Sequence, residues 1–266
     1  MLARLVLRAP RYAALLLATG AAVAPPPSAA QTNAAAPERP LPTPRVERGV
    51  VAIECAAGEA GSRSHGAIVA IGAERPARDV VITVAHALPP TPDAVRRDCR
   101  VIGERDRRYE IEAVWLGGPA RAADWAVLVT ARRLDGRAVL RLPVDEDAHA
   151  DVAPLAARRA RVRLVHGAGD AGCEIRATKW LTRAELDAAV FAHSCESWAG
   201  LSGSPLLSDA AAETLVGVHM GELVMPPGDE PAGGEPEPLL SLGRSFDPAL
   251  RAALAEAAAV ARQRAR

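Results

Sequence analysis

The chain has 266 residues, of which 49% are hydrophobic, and its 32 basic residues balance 32 acidic ones to a net charge of zero. This length allows one large domain or two small ones that share a core. The balanced charge excludes an electrostatic basis for binding nucleic acid or an anionic membrane surface, so we expect neither as a partner.

The N-terminus has the pattern of an export signal. Three arginines precede an apolar run, and small residues follow it: Arg4, Arg8, Arg11, Ala13–Ala24 and Ser28–Ala30. We expect cleavage before Gln31, which makes residues 1–30 a signal peptide and predicts a secreted or periplasmic chain with no stable membrane association. An uncleaved anchor is the alternative, but the apolar run is shorter than the ~20 residues that a helix needs to cross a bilayer.

Residues 31–48 are rich in Ala and Pro, which predicts a flexible arm. The alternative, which assigns this segment a function, is a propeptide. From residue 49, short apolar or alternating runs between turn residues predict β-strands. The first group is Val50–Cys55, Gly66–Ile71, Val80–Ala85, Arg100–Ile102, Tyr109–Leu116 and Trp125–Val129. The second group is Val162–His166, Cys173–Thr178, Val190–Ser194, Pro205–Leu207 and Leu215–Met220. Two groups of strands suggest two β-barrels or a double sandwich, spanning about residues 49–135 and 150–245.

Two segments have helical patterns. Thr182–Ala189 has a polar start and an Ala-rich body. Asp247 followed by Pro248 is an N-cap with a first-turn proline, and it predicts a C-terminal helix that runs to Gln263.

The four cysteines all follow the predicted cleavage point, so they enter a compartment that permits disulfides. Four cysteines allow three connectivities. We favour Cys55–Cys99 and Cys173–Cys195, because this pairing keeps one bridge in each half of the chain. Zinc binding is disfavoured since the sequence has no C-x-x-C pair, and we expect no metal site.

The strongest chemical signal is Gly200–Pro205, in which glycines lie on both sides of Ser202. Such glycines let the backbone turn sharply, so that the hydroxyl stands clear and neighbouring amides converge on one point. A serine hydroxyl is a weak nucleophile and requires a base. His86, directly after the apolar run Val80–Ala85, can accept its proton at neutral pH.

Asp124 supplies the acid that would orient this imidazole. It precedes the apolar segment Trp125–Leu128. Burying a carboxylate there is costly unless it accepts a hydrogen bond. The chain order is His86, Asp124, Ser202, with the first two in the first strand group and the serine in the second. Taken one at a time, a structural histidine, an exposed aspartate and a Gly/Ser turn are the plainer interpretations.

These three segments, Ile82–His86, Asp124–Leu128 and Gly200–Pro205, resemble the histidine, aspartate and serine motifs of chymotrypsin/trypsin-like serine proteases. The resemblance covers most of the chain from about Val50 onward. It implies an all-β fold of two six-stranded antiparallel β-barrels with a C-terminal α-helix, and a site between the barrels. It also implies that the amides of Gly200 and Ser202 form the oxyanion hole.

Within the superfamily, Cys195–Pro205 and Val216–His219 look most similar to the bacterial glutamyl-endopeptidase branch. That likeness implies substrate-binding roles for Ser197 and His219, which would suit a glutamate side chain before the cleaved bond. Glu196 would instead attract Arg or Lys if it faced the pocket, and the sequence leaves this choice open. Leu201 stands where pancreatic-type enzymes have an aspartate that pairs with a freed N-terminus.

The sequence therefore predicts a serine endopeptidase that acts on polypeptide substrates as a monomer. It implies no cofactor, because side chains and backbone amides suffice for the mechanism. The alternative is a catalytically silent, protease-like binding module, although such proteins commonly lack one of the three residues that are present here.

Overall fold

The computed structural model describes residues 49–56, 61–71, 76–118, 120–135, 138–142, 153–166, 169–210, 214–223 and 240–263. The predicted signal peptide (1–30) and Ala/Pro-rich arm (31–48) lie outside the described residues. Within the described ranges the chain forms two β-barrels and four α-helices.

The first barrel is formed by eight strands. They are β1 (Val50–Cys55), β2 (Ser62–Ala70), β3 (Val80–Thr83), β4 (Cys99–Ile102), β5 (Arg108–Tyr109), β6 (Ile111–Leu116), β7 (Ala126–Thr130) and β8 (Leu140–Arg141). Their order is β5-β4-β1-β2-β3-β7-β6, and the two-residue β8 pairs in parallel with the end of β2. The other pairs described in this sheet are antiparallel, and the sheet is nearly closed.

The second barrel is closed and has six strands in the order β10-β11-β14-β13-β12-β9. They are β9 (Arg161–His166), β10 (Gly169–Arg176), β11 (Val190–His193), β12 (Pro205–Ser208), β13 (Leu215–Glu222) and β14 (Ser241–Arg244). The prediction of two antiparallel barrels with a C-terminal helix is confirmed. The first barrel exceeds the expected six strands because of the two-residue strands β5 and β8.

The strands β3 and β7 are buried on both faces, because each lies between the interior of the first barrel and other apolar groups. Val81 and Leu128 face that interior. Ile82 and Val127 face the opposite way and belong to one continuous cluster with residues of the second barrel and the C-terminal helix. Each fully buried aliphatic side chain contributes roughly 1.5–3 kcal/mol, so this shared cluster holds the two barrels together.

The helices are α1 (Pro92–Asp98), α2 (Ala153–Ala157), α3 (Arg183–Asp187) and α4 (Pro248–Arg262). As predicted, α4 begins after Asp247, whose carboxylate caps it by accepting a hydrogen bond from the Leu250 amide at 2.8 Å. The far end of α4 is tied to the first barrel, since the Arg78 amide donates to the Ala261 carbonyl at 3.2 Å. None of the described helices is long and apolar enough to cross a membrane.

Some elements differ from the predictions. The segment Tyr109–Leu116, expected as one strand, is divided between β5 and β6, which pair with different strands. The sequence did not predict α1, α2, β8 or β14. Of these, α1 carried a readable signal, because Thr91 caps it and Pro92 opens it.

Candidate active site

His86 and Asp124 come from two strands of the first barrel that pair with each other. β3 ends at Thr83, and His86 lies in the turn that follows. A short 3-10 helix, Arg121–Ala123, precedes Asp124, and β7 begins at Ala126. Because Thr83 pairs with Ala126 in an antiparallel register, the turn after β3 and the segment before β7 lie at the same end of the barrel.

Two hydrogen bonds join these residues. His86 Nδ1 donates to Asp124 Oδ2 at 2.7 Å, and the His86 backbone amide donates to Oδ1 at 2.9 Å. The bond from Nδ1 raises the pKa of His86 above its ordinary value, although partial burial opposes it. Since a carboxylate only accepts, the proton of the neutral ring lies on Nδ1, and Nε2 keeps a free lone pair.

Ser202 lies in the loop between β11 and β12, which requires glycine at two points. Gly200 has φ +93° and Gly203 has φ +85°, both in the left-handed region that residues with a β-carbon rarely adopt. A β-carbon on Gly203 would lie 1.9 Å from the carbonyl oxygen of His65. The glycines of the serine motif therefore allow a close approach between this loop and β2.

The serine and histidine meet across the two barrels. Ser202 Oγ lies 3.2 Å from His86 Nε2, within hydrogen-bond distance, and 3.4 Å from the Met220 carbonyl oxygen. The His86 side chain is 39% exposed, whereas that of Asp124 is 4% exposed. The structure thus brings the three residues predicted as a triad into one hydrogen-bonded line that is open to solvent at its histidine.

In the serine loop, Gly200–Pro205, three backbone amides donate hydrogen bonds within the chain. The Leu201 amide donates to Trp198, the Ser204 amide donates to Leu201, and the Gly203 amide donates to the His219 carbonyl at 2.7 Å. Among hydrogen bonds between described residues, none uses the amide of Gly200 or Ser202. The two amides predicted as oxyanion donors are thus available for an acceptor from outside the chain.

The three residues predicted to bind substrate differ in their surroundings. Glu196 is exposed. Ser197 is half-buried, and its hydroxyl lies 2.8 Å from that of Ser241 on β14. His219 on β13 is buried, with 1% of its surface exposed. The structure places Ser197 and His219 in polar networks of the second barrel.

His219 is paired with a second buried histidine, His193, to which no motif in the sequence assigns a role. His193 Nε2 lies 3.2 Å from His219 Nδ1, and the Cys195 amide donates to His193 Nδ1 at 3.3 Å. Burial lowers the pKa of His193 to about 4 and that of His219 well below its ordinary value, so both rings are neutral at neutral pH. Because His193 Nδ1 accepts, its Nε2 carries the proton and donates to His219, whose own proton then lies on Nε2.

Both favoured disulfides are present. Cys55–Cys99 joins β1 to β4, and Cys173–Cys195 joins β10 to the segment that leads to the serine loop. Ligand atoms of Cys173, His193 and Cys195 lie within 4.8 Å of one another. The two sulfurs are bonded to each other and so offer no thiolate to a metal.

No protein-family model matches the chain, and no curated protein matches it in sequence. Solved structures are similar to it. An inactivated protease paralogue of the scabies mite matches with a TM-score of 0.52 at 17% identity, covering 79% of this chain and 93% of that one. The protease Anisep from Arthrobacter nicotinovorans matches with a TM-score of 0.53 at 12% identity, covering 82% and 97%. The chain therefore has the chymotrypsin-like fold.

A thermostable serine protease from an extremophilic microorganism shares this fold, with a TM-score of 0.52 at 10% identity over 81% of this chain and 97% of that one. The chymotrypsin-like fold thus occurs both in proteases and in an inactivated paralogue. At these identities the likeness establishes the fold alone, and the case for activity depends on the site residues of this chain.

Proposed function

We propose that this chain is a serine endopeptidase that hydrolyses polypeptides through an acyl-enzyme intermediate. The observation that carries the proposal is the line Asp124, His86, Ser202, with 2.7 Å between Asp124 Oδ2 and His86 Nδ1 and 3.2 Å between His86 Nε2 and Ser202 Oγ. The free amides of Gly200 and Ser202 beside it supply the electrostatic stabilisation that acyl transfer requires.

In the first half of the reaction, Ser202 Oγ attacks the carbonyl carbon of the scissile bond while its proton passes to His86 Nε2. Asp124 keeps the other ring nitrogen protonated and stabilises the imidazolium that forms. The oxygen of the tetrahedral intermediate accepts hydrogen bonds from the Gly200 and Ser202 amides. His86 then gives its proton to the leaving amine as the C–N bond breaks, which leaves an ester on Ser202.

In the second half, His86 takes a proton from water as that water attacks the ester. The ester bond breaks, the proton returns to Ser202 Oγ, and the carboxylic acid product leaves. Side chains and amides of this chain perform every step, so the proposal includes no cofactor. A monomer suffices, because the residues in named roles all belong to one chain. Export to the periplasm or the outside of the cell, after removal of residues 1–30, remains part of the proposal.

We further propose that the enzyme prefers an acidic side chain before the cleaved bond, as in the glutamyl-endopeptidase branch. His219 offers an Nε2–H donor, since its Nδ1 accepts from His193. Ser197 adds a hydroxyl that is held by Ser241. Hydrogen-bond donors in a buried environment suit a carboxylate, and a bound carboxylate would in turn favour protonation of His219. The exposed position of Glu196 weighs against the alternative preference for Arg or Lys.

Hydrolysis of a diverse peptide mixture tests the catalytic proposal. The wild-type protein, with both disulfides formed, should cleave the mixture, and Ser202→Ala should not. Ser204→Ala is the matched control, because it removes a fully buried hydroxyl two residues away and should retain cleavage. Folded wild-type protein that cleaves none of the peptides would refute the proposed peptidase activity and favour the alternative, a catalytically silent binding module.

Sequencing the cleaved peptides tests the specificity proposal separately. We expect Glu or Asp to be enriched before the cut, and His219→Gln to lower kcat/KM for such peptides by about 10- to 100-fold, the range of a hydrogen bond to a charged group. Glu196→Gln should change it by less than about twofold, because an exposed charge is screened by solvent. Enrichment of Arg or Lys, lost in Glu196→Gln, would reverse the assignment.

A further inference from the structure

The serine loop is held in place without the aspartate that Leu201 replaces. Gly200 in this loop has positive φ and no side chain, so no side chain of its own restricts the backbone at that point. Rotation of the neighbouring peptides would redirect the amides that the proposed mechanism uses. Some contact from outside the loop must therefore fix its backbone.

His65 makes that contact twice. It lies on β2 of the first barrel and is completely buried. Its backbone amide donates to the Ser202 carbonyl at 2.8 Å, and its ring Nδ1 lies 2.7 Å from the Gly200 carbonyl oxygen. His65 of the first barrel thus forms hydrogen bonds with two carbonyl oxygens of the serine loop in the second barrel. The ring contact joins residues that are 135 positions apart in sequence.

The ring contact fixes the tautomer of His65. A carbonyl oxygen only accepts, so Nδ1 carries the proton and donates it. Nε2 is then an acceptor, and it is buried with no hydrogen-bond partner among the described residues. Burial lowers the pKa of His65 to about 4, so the ring is neutral at neutral pH and acts as a plain N–H donor.

Neighbouring contacts hold His65 itself. The Thr83 hydroxyl donates to the His65 carbonyl at 2.6 Å, and Gly203 approaches the same carbonyl so closely that a β-carbon would not fit. Thr83 ends β3, the strand that leads to His86. The loop that carries the serine and the strand that leads to the base therefore meet at one residue.

We propose that His65 is the positioning residue of the oxyanion-binding loop: its Nδ1–H holds the Gly200 carbonyl away from the site and so keeps the Gly200 and Ser202 amides directed at the substrate. This assignment rests on the proposed peptidase function. His65 thus fixes the serine loop in place of an ion pair between an aspartate and a freed N-terminus. This contact does not require cleavage of the chain.

Two substitutions at position 65 separate the donor from the bulk of the ring. His65→Leu keeps an apolar side chain but removes the donor, and His65→Asn places an amide N–H where Nδ1 lies. The matched control is Ser64→Ala, which removes a neighbouring buried hydroxyl that has no hydrogen-bond partner among the described residues. The assay measures kcat and KM on one peptide substrate across pH.

We expect His65→Leu to lower kcat by about 100-fold, the low end of the effect of losing one oxyanion donor, with KM changed less than about threefold. His65→Asn should recover at least tenfold of that loss, and Ser64→Ala should match wild type. The acid limb of the pH profile, which reports His86, should not move in the variants. Equal losses in the Leu and Asn variants, or unchanged kcat in His65→Leu, would overturn the assignment.

A measurement on the wild-type protein keeps the proposal testable if the Leu variant does not fold. Nitrogen-15 NMR of the histidine rings should show His65 with its proton on Nδ1 from pH 6 to 8. A ring protonated on Nε2 would overturn the assignment whatever the activity. Absence of hydrolysis by wild-type protein would instead refute the proposed function, and the NMR result would still decide the contact.

Discussion

The contacts within the first barrel and those between the barrels differ in how they are built. His86 and Asp124 form a double hydrogen bond at the end of two paired strands, so the β3–β7 ladder sets their geometry. Ser202 reaches His86 at 3.2 Å from a loop of the other barrel. The acid–base pair is therefore a property of one barrel, whereas the position of the nucleophile depends on a few side chains that link the two.

Arg244 is a second such link, besides His65. It lies on β14, its side chain is fully buried, and it donates to the Ala122 carbonyl at 2.8 Å, in the 3-10 helix that precedes Asp124. It also forms an ion pair with Asp247, the N-cap of α4, at 2.5 Å. One guanidinium thus joins the second barrel, the turn before Asp124 and the C-terminal helix.

The largest effect should come from breaking the pair within the first barrel. Asp124→Asn would let the ring adopt the wrong tautomer, and we expect kcat to fall by about 10⁴-fold with the fold intact. Losing the carboxylate also removes what raises the pKa of His86, so the acid limb of kcat/KM should shift to lower pH. Steady-state kinetics from pH 5 to 9 measure both. A loss below about tenfold would contradict this role for Asp124.

Removing the contacts of Arg244 should mainly lower the free energy of unfolding. Arg244→Met leaves Asp247 without its partner in a largely buried place, and we expect unfolding free energy to fall by about 3–5 kcal/mol. The displaced turn should also lower kcat. Denaturant unfolding and kinetics of the folded fraction measure the two effects.

Arg78→Met is the matched control, because Arg78 is also a buried arginine that ties α4 to a barrel, through the Val260 carbonyl at 3.4 Å. It should cost less stability, since its partner Glu112 is 41% exposed, and should leave kcat unchanged. Equal effects of the two substitutions on kcat would show that Arg244 acts only through α4.

Gly203→Ala should damage the contact between the serine loop and β2. Its β-carbon would collide with the His65 carbonyl, and its φ of +85° is strained for alanine. We expect a loss of about 1–3 kcal/mol in unfolding free energy, together with a lower kcat. Thermal unfolding and kinetics test this, and a variant with wild-type stability would contradict the close approach.

The smallest effect is a pH dependence with opposite signs for two kinds of histidine. Burial lowers the pKa values of His65 and His193 to about 4, so the unfolded chain binds their protons first and stability falls as pH drops from about 6.5 through 4. His86 has a raised pKa, so its contribution is full below about 6.5 and is lost as pH rises. Denaturant unfolding from pH 4 to 8 measures both. His86→Gln should abolish the decline in stability above about pH 6.5 and leave the loss below that pH unchanged.

The sequence predicted the elements within each barrel better than the contacts between them. The runs around Val80–Ala85 and Trp125–Val129 showed the strands that present His86 and Asp124, because buried strands are continuous apolar segments. The glycines around Ser202 marked a backbone that only glycine can adopt. His65 and Arg244 gave no such signal, since their roles depend on carbonyls more than 100 positions away. The strand β14 (Ser241–Arg244) contains one strongly apolar residue, Leu242, so no apolar or alternating run revealed it.

Reaction with a fluorophosphonate tests most directly whether Ser202 is an activated nucleophile. Mass spectrometry of the intact wild-type protein should show one adduct, and peptide mapping should place it on Ser202. Ser202→Ala should show none, while Ser204→Ala should react as wild type does. Correctly oxidised, folded wild-type protein that forms no adduct, or an adduct that maps to another residue, would show that Ser202 is not an activated nucleophile.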